Sequence, residues 1–159
     1  MIQFITIYHL ELQVLGYVGL AMLLGAAIGL EREIEDKPAG LRTHMLVAGA
    51  AALLVGLGDV VVRRFDAGLG NSLVRSDPVR IIQAVVTGVS FLGAGTILRH
   101  AAKHQVEGLT TAASILFTAA VGMCVALSQL VLAVGVTAMV LLILRGLGYA
   151  QRLLEQRQR

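Results

Sequence analysis

Long apolar stretches dominate the chain, separated by short polar or glycine-containing breaks. Five spans can be drawn: Leu12–Leu30, Thr43–Val62, Val79–Leu98, Leu109–Leu127 and Ser128–Gly148. Each is close to the roughly 20 residues that a helix needs to cross the hydrocarbon core of a bilayer. A span in lipid must satisfy its own backbone hydrogen bonds, which a helix does. The alternation of a membrane barrel strand is absent. The pattern therefore predicts an all-α polytopic bundle of five transmembrane helices over residues 12–148. A short outer segment at 1–11 would precede it and a basic cytosolic tail at 149–159 would follow.

The breaks have local causes. Lys37-Pro38 disfavours helix at Lys37, and Ala39-Gly40 can turn the chain. Asp77-Pro78 reads as an N-cap followed by proline at the first helical position. The boundary at Leu127-Ser128-Gln129 carries no charge, but about forty apolar residues need two crossings.

Composition agrees with a membrane class. Hydrophobic residues make up 57% of the chain and charged residues only 14%, against about a quarter charged in soluble domains. The lipid bilayer is thus the first expected partner. The net charge of +3 sits at span ends, which reads as membrane orientation and not as nucleic-acid binding. The single cysteine, Cys124, excludes an internal disulfide. Residues 1–11 lack the basic region of a secretory leader, so no cleavage is expected.

Of the 13 lysines and arginines, nine fall in the first loop, the third loop and the C-terminal tail; Arg63, Arg64, Arg75 and Arg80 share the second loop. The positive-inside rule then predicts an outer N-terminus and a cytosolic C-terminus.

The chain also echoes itself. A shift of 68 positions carries Leu24-Gly25-Ala26 onto Leu92-Gly93-Ala94, and Gly40-Leu41-x-Thr43 onto Gly108-Leu109-x-Thr111. Two related helix hairpins are expected, arranged as parallel repeats about an axis along the membrane normal.

Candidate functional positions fall into three groups. Small residues come first. Gly25 and Gly29 have the spacing for close helix approach, and Gly88, Gly93 and Gly95 do the same for the third span. Gly40 and Gly108 mark the echoed loops. Such faces serve helix packing or a homodimer contact. Hydroxyls come second. Thr111, Ser114 and Thr118 share one helix face, and Thr87 pairs with Ser90; these either bond to helix carbonyls or form a polar track. Charges come third. Glu31, Glu33, Glu35 and Asp36 crowd the end of the first span. A continued helix would pair Glu33 with Lys37 and Arg32 with Asp36. The sharper readings are a hard-cation site, since carboxylates suit magnesium, a protein-contact surface, or a helix-end lock involving Arg42. Asp77 and Arg80 fit an N-cap with a local ion pair, and His100 and His104 lack a third metal ligand. No nucleophile–base pair stands out, so an enzyme is not expected; no cofactor is expected either, with Mg2+ the one candidate ion.

Three stretches together carry a family resemblance. They are Gly25-Ala-Ala-Ile-Gly-Leu-Glu-Arg-Glu33 with Ala39-Gly-Leu-Arg-Thr-His44; Asp77-Pro-Val-Arg80 with Gly88-Val-Ser-Phe-Leu-Gly-Ala-Gly-Thr-Ile97; and Val106-Glu-Gly-Leu-Thr-Thr-Ala-Ala-Ser114 with Ala119-Ala-Val-Gly122. The chain resembles the MgtC/SapB family of bacterial inner-membrane proteins from about residue 15 to 150. The resemblance implies a five-helix membrane domain with a cytosolic C-terminus, and a role in growth at low magnesium. For virulence-linked members it also implies survival within host cells and restraint of the ATP synthase. Carried over by position, the implied site residues are Glu31, Arg32, Glu33, Gly40, Arg42, Thr43, Asp77, Arg80, Gly93, Gly95, Gly108, Thr110 and Thr111. Virulence-linked members have asparagine where this chain has Thr110 and tryptophan where it has Leu116. They also continue into a cytosolic domain, whereas this sequence stops at Arg159, so a short form is expected.

The expected function is a membrane regulator of magnesium or ion homeostasis that contacts a membrane complex such as the ATP synthase. The alternative is a transporter or channel for a cation or small solute. The expected working site lies where the two echoed loops meet, with Arg42, Thr43, Thr110, Thr111 and Ser114 beside Glu31-Arg32-Glu33.

Overall fold

The apolar runs form five helices: α1 (Ile2–Ile34), α2 (Leu41–Leu69), α3 (Pro78–Gly95), α4 (Leu109–Ala126) and α5 (Leu130–Arg157). Our computed structural model describes residues 2–69, 78–100 and 105–157. Three helical stretches are long and apolar enough to cross a membrane: Tyr8–Ile34, Leu41–Val62 and Leu109–Ala126. Val79–Gly95 and Leu130–Gly146 are shorter apolar helices among the described residues. Phe91, Leu142 and Val131 are 81%, 72% and 90% exposed. So large an apolar surface is what a chain surrounded by hydrocarbon presents. This is a membrane protein with an all-α architecture.

The helix ends differ from expectation in several places, and α2 runs past Val62 to Leu69. Backbone helix begins at Ile2 and runs on to Arg157, so both terminal segments extend the helices they flank. The third helix stops at Gly95 and not at Leu98. There the glycines of Gly93-Ala94-Gly95 weaken the helix. Thr96 and Ile97 close it with short bonds to the carbonyls of Gly93 and Ala94, at 3.0 and 3.1 Å. Leu98–His100 (β1) then pairs antiparallel with Gln105–Glu107 (β2).

α1 and α4 end alike. The Lys37 amide bonds to the Arg32 carbonyl and the Asp36 amide to the Glu33 carbonyl, with Asp36 left-handed at φ 51. At the end of α4, Gln129 bonds to Cys124 and Ser128 to Val125, with Ser128 at φ 60. This Schellman pattern stops each helix. It resolves the weakly marked Leu127–Gln129 boundary into two helices.

α4 lies at the centre and packs against each of the other four helices. Its neighbours approach closely because small residues face one another. A Cβ on Gly25 would lie 2.6 Å from the His44 carbonyl oxygen and 2.8 Å from the Ala48 Cβ. One on Gly122 would collide with the Ala48 backbone. α1, α2 and α4 thus meet at Ala48. One core gathers Val47, Val55, Val85, Val89 and Ile115, and a second gathers Ala21, Ala48, Val121 and Val125.

The two echoed hairpins close alike. Gly25 of α1 packs on His44 of α2, and the shifted pair, Gly93 of α3 and Ala112 of α4, also meets: a Cβ on Gly93 would lie 3.5 Å from the Ala112 Cβ. The His44 amide bonds to the Gly40 carbonyl at 3.2 Å, and Ala112 to Gly108 at 2.8 Å. His44 faces Ser114, and Ala48 faces Gly122. α2 and α4 therefore run in the same direction, as parallel repeats require.

Candidate functional site

The last turn of α1 turns its charges inward. Glu31 and Arg32 are 3% and 4% exposed. The Arg32 Nε donates to Glu31 Oε2 at 2.5 Å, and its Nη2 donates to Oε1 at 2.8 Å. Two parallel charge-assisted bonds hold the guanidinium plane against the carboxylate plane. The unit is buried but carries no net charge.

The next acid works on the following helix. Leu41 opens α2, and its amide donates to Glu33 Oε2 at 2.7 Å. A helix N-terminus has unpaired amides and a partial positive charge, so a carboxylate there is favoured. Gly40 allows the approach, since a Cβ on it would sit 2.8 Å from the same oxygen. The pairs expected of a continuous helix, Glu33 with Lys37 and Arg32 with Asp36, are replaced. The helix ends at Ile34, which takes Asp36 and Lys37 out of register.

His44, fully buried, joins this loop to the centre of the bundle. Its Nδ1 lies 2.9 Å from the Gly40 carbonyl oxygen and its Nε2 lies 3.0 Å from Ser114 Oγ on α4. Ser114 Oγ is 2.8 Å from the Thr111 carbonyl, and Thr118 Oγ1 is 2.8 Å from the Ser114 carbonyl. Thr111, Ser114 and Thr118 are all buried. Loop, α1 end and α4 hydroxyl face form one polar seam in an apolar bundle.

The other candidates divide. Thr43 is half-buried beside His44, whereas Arg42, Thr110 and Arg80 are exposed. Asp77 and His104 lie outside the described residues. The helix-end lock is made by Glu33 and the Arg32–Glu31 pair, with Arg42 pointing outward. Among the described residues no three acidic, histidine or cysteine side chains converge to hold a metal ion. Gly25, Gly29 and Gly93 pack against other helices, but a Cβ on Gly88 or Gly95 would meet nothing within 4 Å. Those two leave α3 a smooth strip on its exposed surface; away from that strip the exposed Thr87 and Ser90 bond back to the Gln83 and Val86 carbonyls.

Sequence reasoning missed His44 as the bridge. The signal was present: a hydroxyl face on the fourth span needs a partner, and one histidine lies inside the second. It also missed a second polar group at the opposite end of the bundle. There Gln13 Nε2 donates to the Tyr17 hydroxyl at 2.9 Å, which lies 2.7 Å from Ser128 Oγ. They line a cleft of about 420 Å³ shared with Asp59 and Ile81.

Comparison with known proteins decides the family. The MgtC family profile matches residues 18–153.

The chain belongs to the MgtC family.

Relatives extend the match. YhiD of Escherichia coli K12, whose name marks it as a candidate magnesium transporter, is 42% identical over 127 residues, covering 79% of this chain and 56% of YhiD. SrpB of Synechococcus elongatus is 41% identical over 145 residues, 87% of this chain and 77% of SrpB. MgtC of Salmonella typhimurium LT2 is 38% identical over 122 residues, 76% of this chain and 46% of MgtC. The match thus spans about half of YhiD and of MgtC. No solved structure matches significantly. The family match takes in the whole seam, from Glu31 to Thr118.

Proposed function

We propose that this protein is a non-enzymatic regulator of magnesium or ion homeostasis in the bacterial inner membrane. It crosses the membrane several times, with the N-terminus outside and the C-terminus in the cytosol, as the lysine and arginine distribution supports. It acts by helix–helix contact with a membrane complex, for which the ATP synthase is the candidate, and it assembles as a homodimer. The observation that carries this reading is membership of the MgtC family over residues 18–153, with magnesium in the name of the relative YhiD. The open glycine face of α3 supports lateral contact with another helix. The polar seam has a supporting role: it fixes α1, α2 and α4 so that α3 is presented on a firm base.

Two measurements test this. A deletion strain should grow normally at high magnesium and poorly at low magnesium, with rescue by the intact gene. Mild-detergent co-purification should recover ATP synthase subunits; their consistent absence in cells grown at low magnesium would remove that partner.

A transporter or channel for a cation or small solute is the second reading. The cleft lined by Gln13, Tyr17, Asp59 and Ser128 favours it, as does the pair of parallel hairpins. Flux of magnesium, sodium or protons into proteoliposomes would establish it in place of the regulator.

A further inference from the structure

The hydrogen atoms around His44 do not add up to a single protonation state. The Gly40 carbonyl can only accept, so the Nδ1 beside it at 2.9 Å carries a hydrogen. Ser114 has one hydroxyl hydrogen and two neighbours for it, the His44 Nε2 at 3.0 Å and the Thr111 carbonyl at 2.8 Å. If the hydroxyl points to Nε2, the imidazole is neutral. If it points to the Thr111 carbonyl, Nε2 must donate, and the ring is an imidazolium. Both patterns are complete with every heavy atom in place. A buried polar group is costly only when a bond is left unmade, and here neither state leaves one.

We propose that His44 is a proton-binding site, in which uptake of a proton at Nε2 turns the Ser114 hydroxyl from the ring to the Thr111 carbonyl. The ligand is the proton itself, taken from solution. Nε2 changes from acceptor to donor, Ser114 Oγ changes from donor to acceptor, and Nδ1 keeps its hydrogen throughout. The charged groups at this end of α1 are Glu31 and Arg32, buried and paired with each other, with Glu33 beyond them at the start of α2. α4 brings Thr111, Ser114 and Thr118 but no charged residue, and Cys124 lies over two turns further along it. On α3, Arg80 is the one charged residue; it stands at the far end of α2, where Ile81 meets Gly58. The seam therefore offers a site whose net charge changes by one between α2 and α4 without repacking. This inference does not depend on the regulator reading.

The test is nitrogen NMR of the full chain, labelled with 15N-histidine and reconstituted in lipid nanodiscs. The His44 signals are assigned by their loss in His44→Gln. On acidification the Nε2 signal should move from the unprotonated to the protonated type, while Nδ1 stays protonated. The amide signals of His44 and Ser114 should hold their positions. Ser114→Ala should lose the protonated Nε2 state over the same range, because the new N–H has no acceptor. Thr118→Val, which removes the hydroxyl bonded to the Ser114 carbonyl and leaves the ring's own partners in place, should retain it. Titration at Nδ1, an Nε2 that stays in one state while the fold persists, or a Ser114→Ala variant that titrates as the parent does would each overturn the assignment. The first two are read from the unmodified chain, so poor folding of a variant does not shield the proposal.

Discussion

Replacing Glu31 by leucine leaves the Arg32 guanidinium buried without its counter-charge. The Arg32 and Glu31 side chains are 5% and 4% exposed, so water does little to relieve either alone. Two hydrogen bonds vanish with the carboxylate, each worth about 1.5–3 kcal/mol when a charge is involved. Breaking a buried pair from one side costs about 3–5 kcal/mol, and we expect Glu31→Leu to fall in that range. Arg32→Met should cost less, because a stranded carboxylic acid can take up a proton and a guanidinium cannot release one. The double variant Glu31→Leu/Arg32→Met should be more stable than Glu31→Leu alone, since no buried charge is then unpaired. The assay is reversible unfolding in mixed micelles, run as a double-mutant cycle. The coupling energy should be about 2–3 kcal/mol. A double variant that is no more stable than Glu31→Leu would refute the account of the pair as a buried neutral unit.

Four further outcomes follow from the geometry. Gly122→Ala must push α4 away from the Ala48 backbone and should cost about 1–3 kcal/mol in the same unfolding assay. Gly88→Ala meets open space and should gain up to about 1 kcal/mol of helix propensity, so dimerisation or partner recovery that it abolishes would locate a contact on α3. Glu33→Ala removes the acceptor of the Leu41 amide; it should cost about 1 kcal/mol and speed hydrogen exchange at Leu41 with little effect at Ala119. Asp36→Gly relieves a left-handed backbone at φ 51 and should raise stability by about 1 kcal/mol, measured by thermal melting in detergent.

Much of the architecture was legible along the chain, because membrane insertion makes local demands. An apolar run of the right length has to be a helix, and Pro38, Pro78 and the Gly40 and Gly108 echoes mark where helices start. Family and parallel repeat follow from residue order, which needs no coordinates. The ends were less legible. Whether a helix stops at Gly95 or runs past Gly148 depends on small differences between backbone bonds. Ser128 shows the same limit: nothing in its identity announces a left-handed turn, yet that turn separates α4 from α5.

Only the tertiary structure could sort the candidates. The charges of Glu31, Arg32 and Glu33 look alike in sequence, but burial depends on which side of α1 faces α2 and α4, and that direction turns by about 100° with each residue of a helix. The glycines of the third span also looked equivalent; Gly93 meets Ala112 while Gly88 and Gly95 face outward. His44 and Ser114 are separated by 70 positions. Their hydrogen bond exists because two parallel repeats place α2 beside α4. Periodicity determined that these segments are helices in a membrane. Packing alone decided which polar atoms meet inside it, because a partner across the bundle leaves no mark on the local sequence.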